Sequence, residues 1–468
     1  MGAVVATDHQ ASADAGPNEE DGGQRVDQPL RDADLHVLCH VRDDRLSPQG
    51  LAIFCSTLRS QGLAPLPSPA VGKRASRRQR RRRWVVIGLC VAVVIVAAGS
   101  ATVALGGGGK DVSAAPPTTT TSSTTTTTLP PTTTTTLPPI PSSSLTLSHL
   151  RTVTGNIAPK SVVASPTAGL VFAQNMMYRH TVTAYDTDGN LRATIPDSFT
   201  YPSGTVQGAP VEAAFSPDGS FAYVSNYSMY GPGYTHQGAD QCGPNQGIDN
   251  SLVYRINTAT LAIDSAINVG QVPKYVAVTP DGRYLLVSNW CSFDLSVVDT
   301  LTNVEVKRIY LGPTPRGIAV DLTSRFVYVA VMGSSDIAVV DLTTFAVDWI
   351  RGVGPAPRHL VRDDSGQFLY ATINDSGQVV KIDLTTRTVV GRVSTGSEPR
   401  SMDIAPDGES VYVVNYNSNT VSKVRTSDMV VIQTVSTGTH PIGITYEPIA
   451  KRVWVACYSG TIMIFNDA

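Results

Sequence analysis

The chain has 468 residues, 42% of them hydrophobic, and its 36 Lys and Arg against 38 Asp and Glu leave a formal charge of −2. That balance hides a basic cluster, because residues 73–83 carry 8 basic groups and no acid, whereas residues 144–468 hold 22 basic against 27 acidic groups. Basic charge confined to so short a stretch excludes a folded nucleic-acid-binding face, which would spread Lys and Arg over a domain.

Residues 1–83 read as a cytoplasmic tail, polar and acidic at first and ending in the basic cluster. Leu35, Val37, Leu38, Val41, Leu46, Leu51, Ile53, Phe54 and Leu58 supply enough apolar surface for one or two short helices but not for an independent core. His36, Cys39, His40 and Cys55 include no Cys-x-x-Cys pair and match no common zinc-finger spacing, so neither a metal nor another cofactor is expected. Residues 84–105 then form an uncharged run of 22 residues rich in Val, Ala and Ile. At ~1.5 Å per residue this crosses a hydrocarbon core of about 30 Å. A buried helix of a soluble domain would usually carry a polar face. The basic cluster on its N-terminal side keeps the tail in the cytoplasm and exports residues 106–468, with Trp84 at the interface. Small residues at 98–101 would suit a cleaved leader, but the tail and the apolar run are both too long for one. An uncleaved single-pass anchor in the cell membrane is expected.

Residues 106–143 open on four glycines and continue as threonine runs separated by Leu-Pro-Pro. Such a segment has little to bury and cannot offset the entropy of ordering. Its prolines and β-branched threonines favour extended conformations that reach on the order of 100 Å. It is a spacer, with the composition of mucin-like stalks.

Internal repetition decides the rest. Proline recurs every 42 residues at Pro273, Pro315, Pro357, Pro399 and Pro441, and glycine stands three positions before each. Two earlier copies begin at Pro159 and Pro210, with insertions near 198–205 and 227–250 accounting for their longer intervals. In the copy at Pro273, runs rich in Val, Ile and Tyr at 275–279, 284–288, 295–299 and 304–310 alternate with turns such as Pro280-Asp281-Gly282. Four short antiparallel strands per repeat make a propeller blade. The last copy has three strands, and residues 145–154 fit the register of the missing fourth. The expected fold is therefore all-β: a seven-bladed propeller over 144–468, closed by its N-terminal strand, which pairs edges that otherwise invite aggregation.

The units carry Tyr223-Val224-Ser225-Asn226, Leu286-Val287-Ser288-Asn289 and Tyr412-Val413-Val414-Asn415, with Pro-Asp-Gly turns at Pro217, Pro280 and Pro406. In these motifs residues 144–468 resemble the YVTN-type β-propeller repeat family. Tyr328-Val329-Ala330-Val331 and Cys457 depart from the pattern. The resemblance implies a surface or exported propeller with no fixed function, related in shape to lactone hydrolases and cofactor enzymes.

Propeller topology puts both insertions on the upper face, where long loops on a rigid scaffold gather binding residues. The residue after the blade proline is Lys160, Lys274, Arg316, Arg358 or Arg400 in five copies. These cations would ring the upper channel mouth and attract an anion. After the signature position come Tyr227, Trp290, Tyr416 and Tyr458, while Tyr201, Tyr230, Tyr234 and His236 lie in the insertions. Such aromatics suit glycan or peptide contacts and equally pack between blades. Cys242 and Cys291 occupy equivalent loops of neighbouring blades, which predicts a disulfide in an oxidising compartment, and Cys457 is expected as a buried thiol. The run from Asp186 to Asn190 has calcium-loop composition but reads as a hairpin turn.

No nucleophile elbow, zinc-protease, phosphate-loop or haem motif occurs in the exported part, so no catalytic residue is assigned. The expectation is a non-enzymatic binding or scaffolding module at the cell surface, taking an anionic glycan, peptide or envelope protein on its upper face. Two alternatives remain: a propeller-type lactone hydrolase using His359 or His236 beside Arg358, and a purely structural envelope protein.

Overall fold

A computed structural model describes residues 139–468 except 230 and 232. The expected tail with its His/Cys group, the anchor at 84–105 and most of the spacer lie outside the described residues. Among the described residues, no helix is long and apolar enough to cross a membrane. They form seven four-stranded antiparallel sheets and one small hairpin. The blades run around a central axis, each with its proline strand innermost: Pro159–Ala164, Ala209–Phe215, Pro273–Val278, Pro315–Val320, Pro357–Arg362, Pro399–Ile404 and Pro441–Glu447 for blades 1 to 7.

Alternating apolar residues give each sheet two faces to bury, and the core lies between neighbouring blades. Leu286, Leu295 and Val297 of blade 3 pack with Ile318, Val327, Val329 and Val340 of blade 4, all buried. The repeat consensus has local causes. The signature asparagine ties the second strand to the third: Asn289 Nδ2 donates to Asp294 Oδ1 at 2.7 Å and Ser296 Oγ at 2.8 Å. Asn415 does the same to Thr420 and Ser422. Where the signature residue is asparagine, it lies against the glycine before the next blade proline: a Cβ at Gly270 would come within 2.6 Å of Asn289, and one at Gly396 within 2.7 Å of Asn415. The periodic aspartate caps the next turn, as Asp299 Oδ1 accepts from the backbone N–H groups of Leu301 and Thr302.

The ring closes as the repeat count requires. Leu147–Val153 pairs antiparallel with Thr461–Asp467, from Leu147 opposite Asp467 to Val153 opposite Ile462, with a bulge between His149 and Arg151. Beside this seam, Lys423 Nζ donates to the Leu145 carbonyl at 2.9 Å and pairs with the Asp467 carboxylate, both side chains fully buried. Tyr412 donates its hydroxyl to the other Asp467 oxygen. The chain reaches this strand across the lower face, where Ser142 N and Oγ donate to Asp407 at 2.6 and 2.7 Å.

The insertion between blades 1 and 2 is not an open loop but a hairpin of Ser198–Tyr201 and Gly204–Gln207, held by Tyr254 Oη donating to the Val206 carbonyl. The second insertion follows Tyr227 and folds down onto blade 3. The Cys242–Cys291 disulfide is formed, and Cys457 is a buried free thiol, pushed up to about 11 by burial.

Candidate functional site

The five cations that follow the blade prolines do not form a solvated mouth. Lys160, Lys274, Arg316, Arg358 and Arg400 are all buried, each 8% exposed or less. The aromatics that were candidates for ligand contact lie against four of them. Lys274 Nζ lies 4.5 Å from the Tyr227 ring and 4.6 Å from Trp290, and pairs with Asp240 at 3.5 Å. Arg316 lies 5.9 Å from Trp290. Lys160 donates to Tyr458 Oη, and Arg358 contacts Met332 Sδ. Arg400 stacks 3.5 Å from the Tyr416 ring and pairs with Glu398, while His440 stacks on the same ring at 4.4 Å. Cation and ring bury one another, which offsets the cost of taking charge out of water.

The second insertion contributes Met229 to a lid of apolar side chains above them. Met176, Tyr227, Met229, Val272, Trp290, Met332 and Ala356 form one buried cluster spanning blades 1 to 5. Trp290 Nε1 donates to the Asp240 carbonyl at 3.0 Å, so the disulfide-bearing segment is anchored on the ring itself. Tyr227 and Trp290 are therefore packing residues. Tyr234 is half-buried and bonds Ser251. His236 is exposed, bonded to Asp249 at 3.3 Å, and no described contact brings it to Arg358. At Asp186 to Asn190 the oxygens are taken by Arg151 and Arg452 and by backbone N–H groups, consistent with a hairpin turn.

Sequence reasoning missed a second constellation. Residues two positions after each blade proline point to the axis: Ser161, Glu212, Tyr275, Gly317, His359, Ser401 and Gly443. Most of them line an axial cavity of about 400 Å³ with Asp403 and Thr445, and its lining continues through Pro166, Phe215, Val278, Pro406 and Pro448 towards the lower face. The signal was present in the repeat register, since this position varies widely while its neighbour is cationic in five of the seven copies. Gly317 is small for a reason: a Cβ there would lie 2.7 Å from His359 Cα. Its absence lets Tyr275 of blade 3 and His359 of blade 5 meet, with His359 Nε2 and Tyr275 Oη 2.9 Å apart. Because His359 Nδ1 accepts from the Met402 backbone N–H at 3.3 Å, Nε2 carries the proton and donates to the phenol. The Tyr275 hydroxyl proton is then left to face the cavity.

The cavity holds carboxyls in unusual states. Burial pushes Glu212 up to about 7, against the opposing pull of its Ser161 hydrogen bond and of Arg316 and Lys160. Burial likewise raises Asp403 to about 6, although Tyr446 N–H, Ile404 N–H and the Thr445 hydroxyl bond its carboxylate. His359 is lowered to about 3 by burial and by Arg316 and Arg358, and so is neutral. A cavity where polar groups and displaced titrations converge on an apolar wall is a candidate ligand site.

Comparison with known proteins supports the same architecture. A family model for YNCE-like β-propellers matches residues 245–409. Hydrazine synthase from Kuenenia stuttgartiensis contains a chain of similar fold, with 18% sequence identity and a TM-score of 0.54 over 68% of this chain and 97% of that one. At that identity the likeness concerns the fold alone. No curated protein sequence matches the chain. The described residues form a seven-bladed β-propeller.

Proposed function

We propose that this protein is a binding module of the cell surface, held by an anchor at 84–105 and a Thr/Pro-rich stalk, with a propeller of the YVTN repeat type outside the cytoplasm. The single observation that carries a binding role is the axial cavity, where Ser161, Glu212, Tyr275, His359 and Asp403 converge from five blades. The buried and stacked cations favour a structural role for the upper ring, so the ligand is placed in the cavity rather than on that ring. Residues 139–142 dock at Asp407 beside the lower opening, and the two share Pro406, Tyr446 and Pro448.

The test is a glycan, peptide and small-molecule array probed with the wild-type chain and with Ser401→Trp, which fills the cavity. Loss of the wild-type signal at an unchanged melting temperature supports the cavity. Retained binding moves the site elsewhere and revives the upper face. A propeller-type lactone hydrolase is the second reading, favoured by a Glu212 carboxyl poised near neutrality. Lactone turnover that disappears in Glu212→Gln would promote it.

A further inference from the structure

We infer that the axial cavity selects a small ligand carrying a protonated amine, with Glu212 as its counter-ion and the Tyr275 ring beside it. This rests on the cavity being the binding site. The wall holds two carboxyls, two phenols, a neutral imidazole and several hydroxyls, and no Lys or Arg lines it among the described residues. An anion entering there would meet carboxylate oxygens with no cation on the wall to pair it, at a high desolvation cost. A neutral polyol would find acceptors but would bring the Glu212 carboxylate no charge partner on the cavity side, beyond the pull of Arg316 and Lys160.

An ammonium meets the available chemistry. Asp403 is largely engaged by the backbone N–H groups of Ile404 and Tyr446 and by the Thr445 hydroxyl. Ser161, the side-chain hydrogen-bond partner of Glu212, has a single hydroxyl proton for which the Gln174 amide oxygen competes, so the Glu212 carboxylate retains acceptor capacity towards the cavity. Glu212 and Tyr275 occupy the same level of adjacent blades, so a cation at the carboxylate lies next to an aromatic ring, the pairing that recognises ammonium groups. The cavity volume of about 400 Å³ suits a small amine rather than a polymer.

Proton linkage is a consequence. Around Glu212 stand Ser161 and Lys160 from blade 1, Tyr275 from blade 3 and Arg316 from blade 4, with His359 and Asp403 lining the same cavity. Of these, Asp403, at about 6, and Glu212, at about 7, change charge near neutrality. An amine that stays protonated should therefore bind roughly five- to tenfold more tightly at pH 8 than at pH 6.

The experiment titrates the full-length chain by calorimetry with ethanolamine against ethylene glycol, and with putrescine against butanediol. The amines should bind at least about tenfold more tightly than their hydroxyl counterparts, and Glu212→Gln should erase that preference at an unchanged melting temperature. Should Glu212→Gln fail to fold, the wild-type pH dependence decides the matter. Equal affinity of amine and alcohol, no amine binding, amine binding unchanged in Glu212→Gln, or affinity flat between pH 6 and pH 8 would each overturn the inference. If array binding is still lost in Ser401→Trp, only the amine preference falls and the cavity remains the site.

Discussion

Deletion of residues 145–154 is expected to abolish the cooperative melting of the propeller. The deletion removes Leu147–Val153 and leaves Thr461–Asp467 as an open edge in blade 7. Leu147 and Val153 are buried at 5% and 9% exposure, and losing two such side chains costs about 3–6 kcal/mol. The Leu145 carbonyl also disappears from Lys423, a bond to a charged group contributing about 1.5–3 kcal/mol. Together these approach the whole stability of a typical domain, about 5–15 kcal/mol. A broad, low-amplitude transition in calorimetry and aggregation through the freed edge are the expected readings. A sharp transition at the wild-type temperature would show that the ring does not depend on its borrowed strand.

Lys423→Met should cost about 3–5 kcal/mol, because it leaves Asp467 charged and buried without its partner. The pair is fully enclosed, with Tyr412 and the Leu145 carbonyl as its further contacts. For a domain of this size the loss corresponds to a fall in Tm of roughly 5–10 °C. The double variant Lys423→Met with Asp467→Leu should recover most of it, since an apolar pair of similar volume removes both desolvation penalties. Thermal denaturation of the single and double variants measures this directly. A single variant as stable as wild type would mean that water or a neighbouring group already neutralises Asp467.

How far the sequence disclosed the protein depends on what each feature rests upon. Blade number, strand order and ring closure were legible because each follows from a period of local signals: Pro315 opening a strand, Asp341 capping a turn, Gly396 yielding to Asn415. The disulfide was legible for the same reason, as equivalent loops of adjacent blades must be neighbours. Burial of the cations was not. Arg358 and Lys274 occupy a repeated position that reads equally as a solvated rim, and only the lid of Met229, Val272, Trp290 and Met332 decides between the two. Substituting Arg316, Arg358 or Arg400 by Ala therefore perturbs packing before it perturbs any ligand. The axial constellation was hidden by distance: Tyr275 and His359 are 84 residues apart and meet because Gly317 stands aside. No local pattern announces a contact between alternate blades across a channel, although the varied position after each lysine or arginine marked where to look.

The most direct test of the account is a hydrogen-exchange footprint of the chain with its bound ligand, taken against the free protein. If the cavity is the site, slowed exchange should fall on the inner strands Ala209–Phe215, Pro273–Val278 and Pro357–Arg362, with residues 228–250 unchanged. Protection confined to residues 228–250 and the upper rim, with those inner strands unaffected, would contradict it.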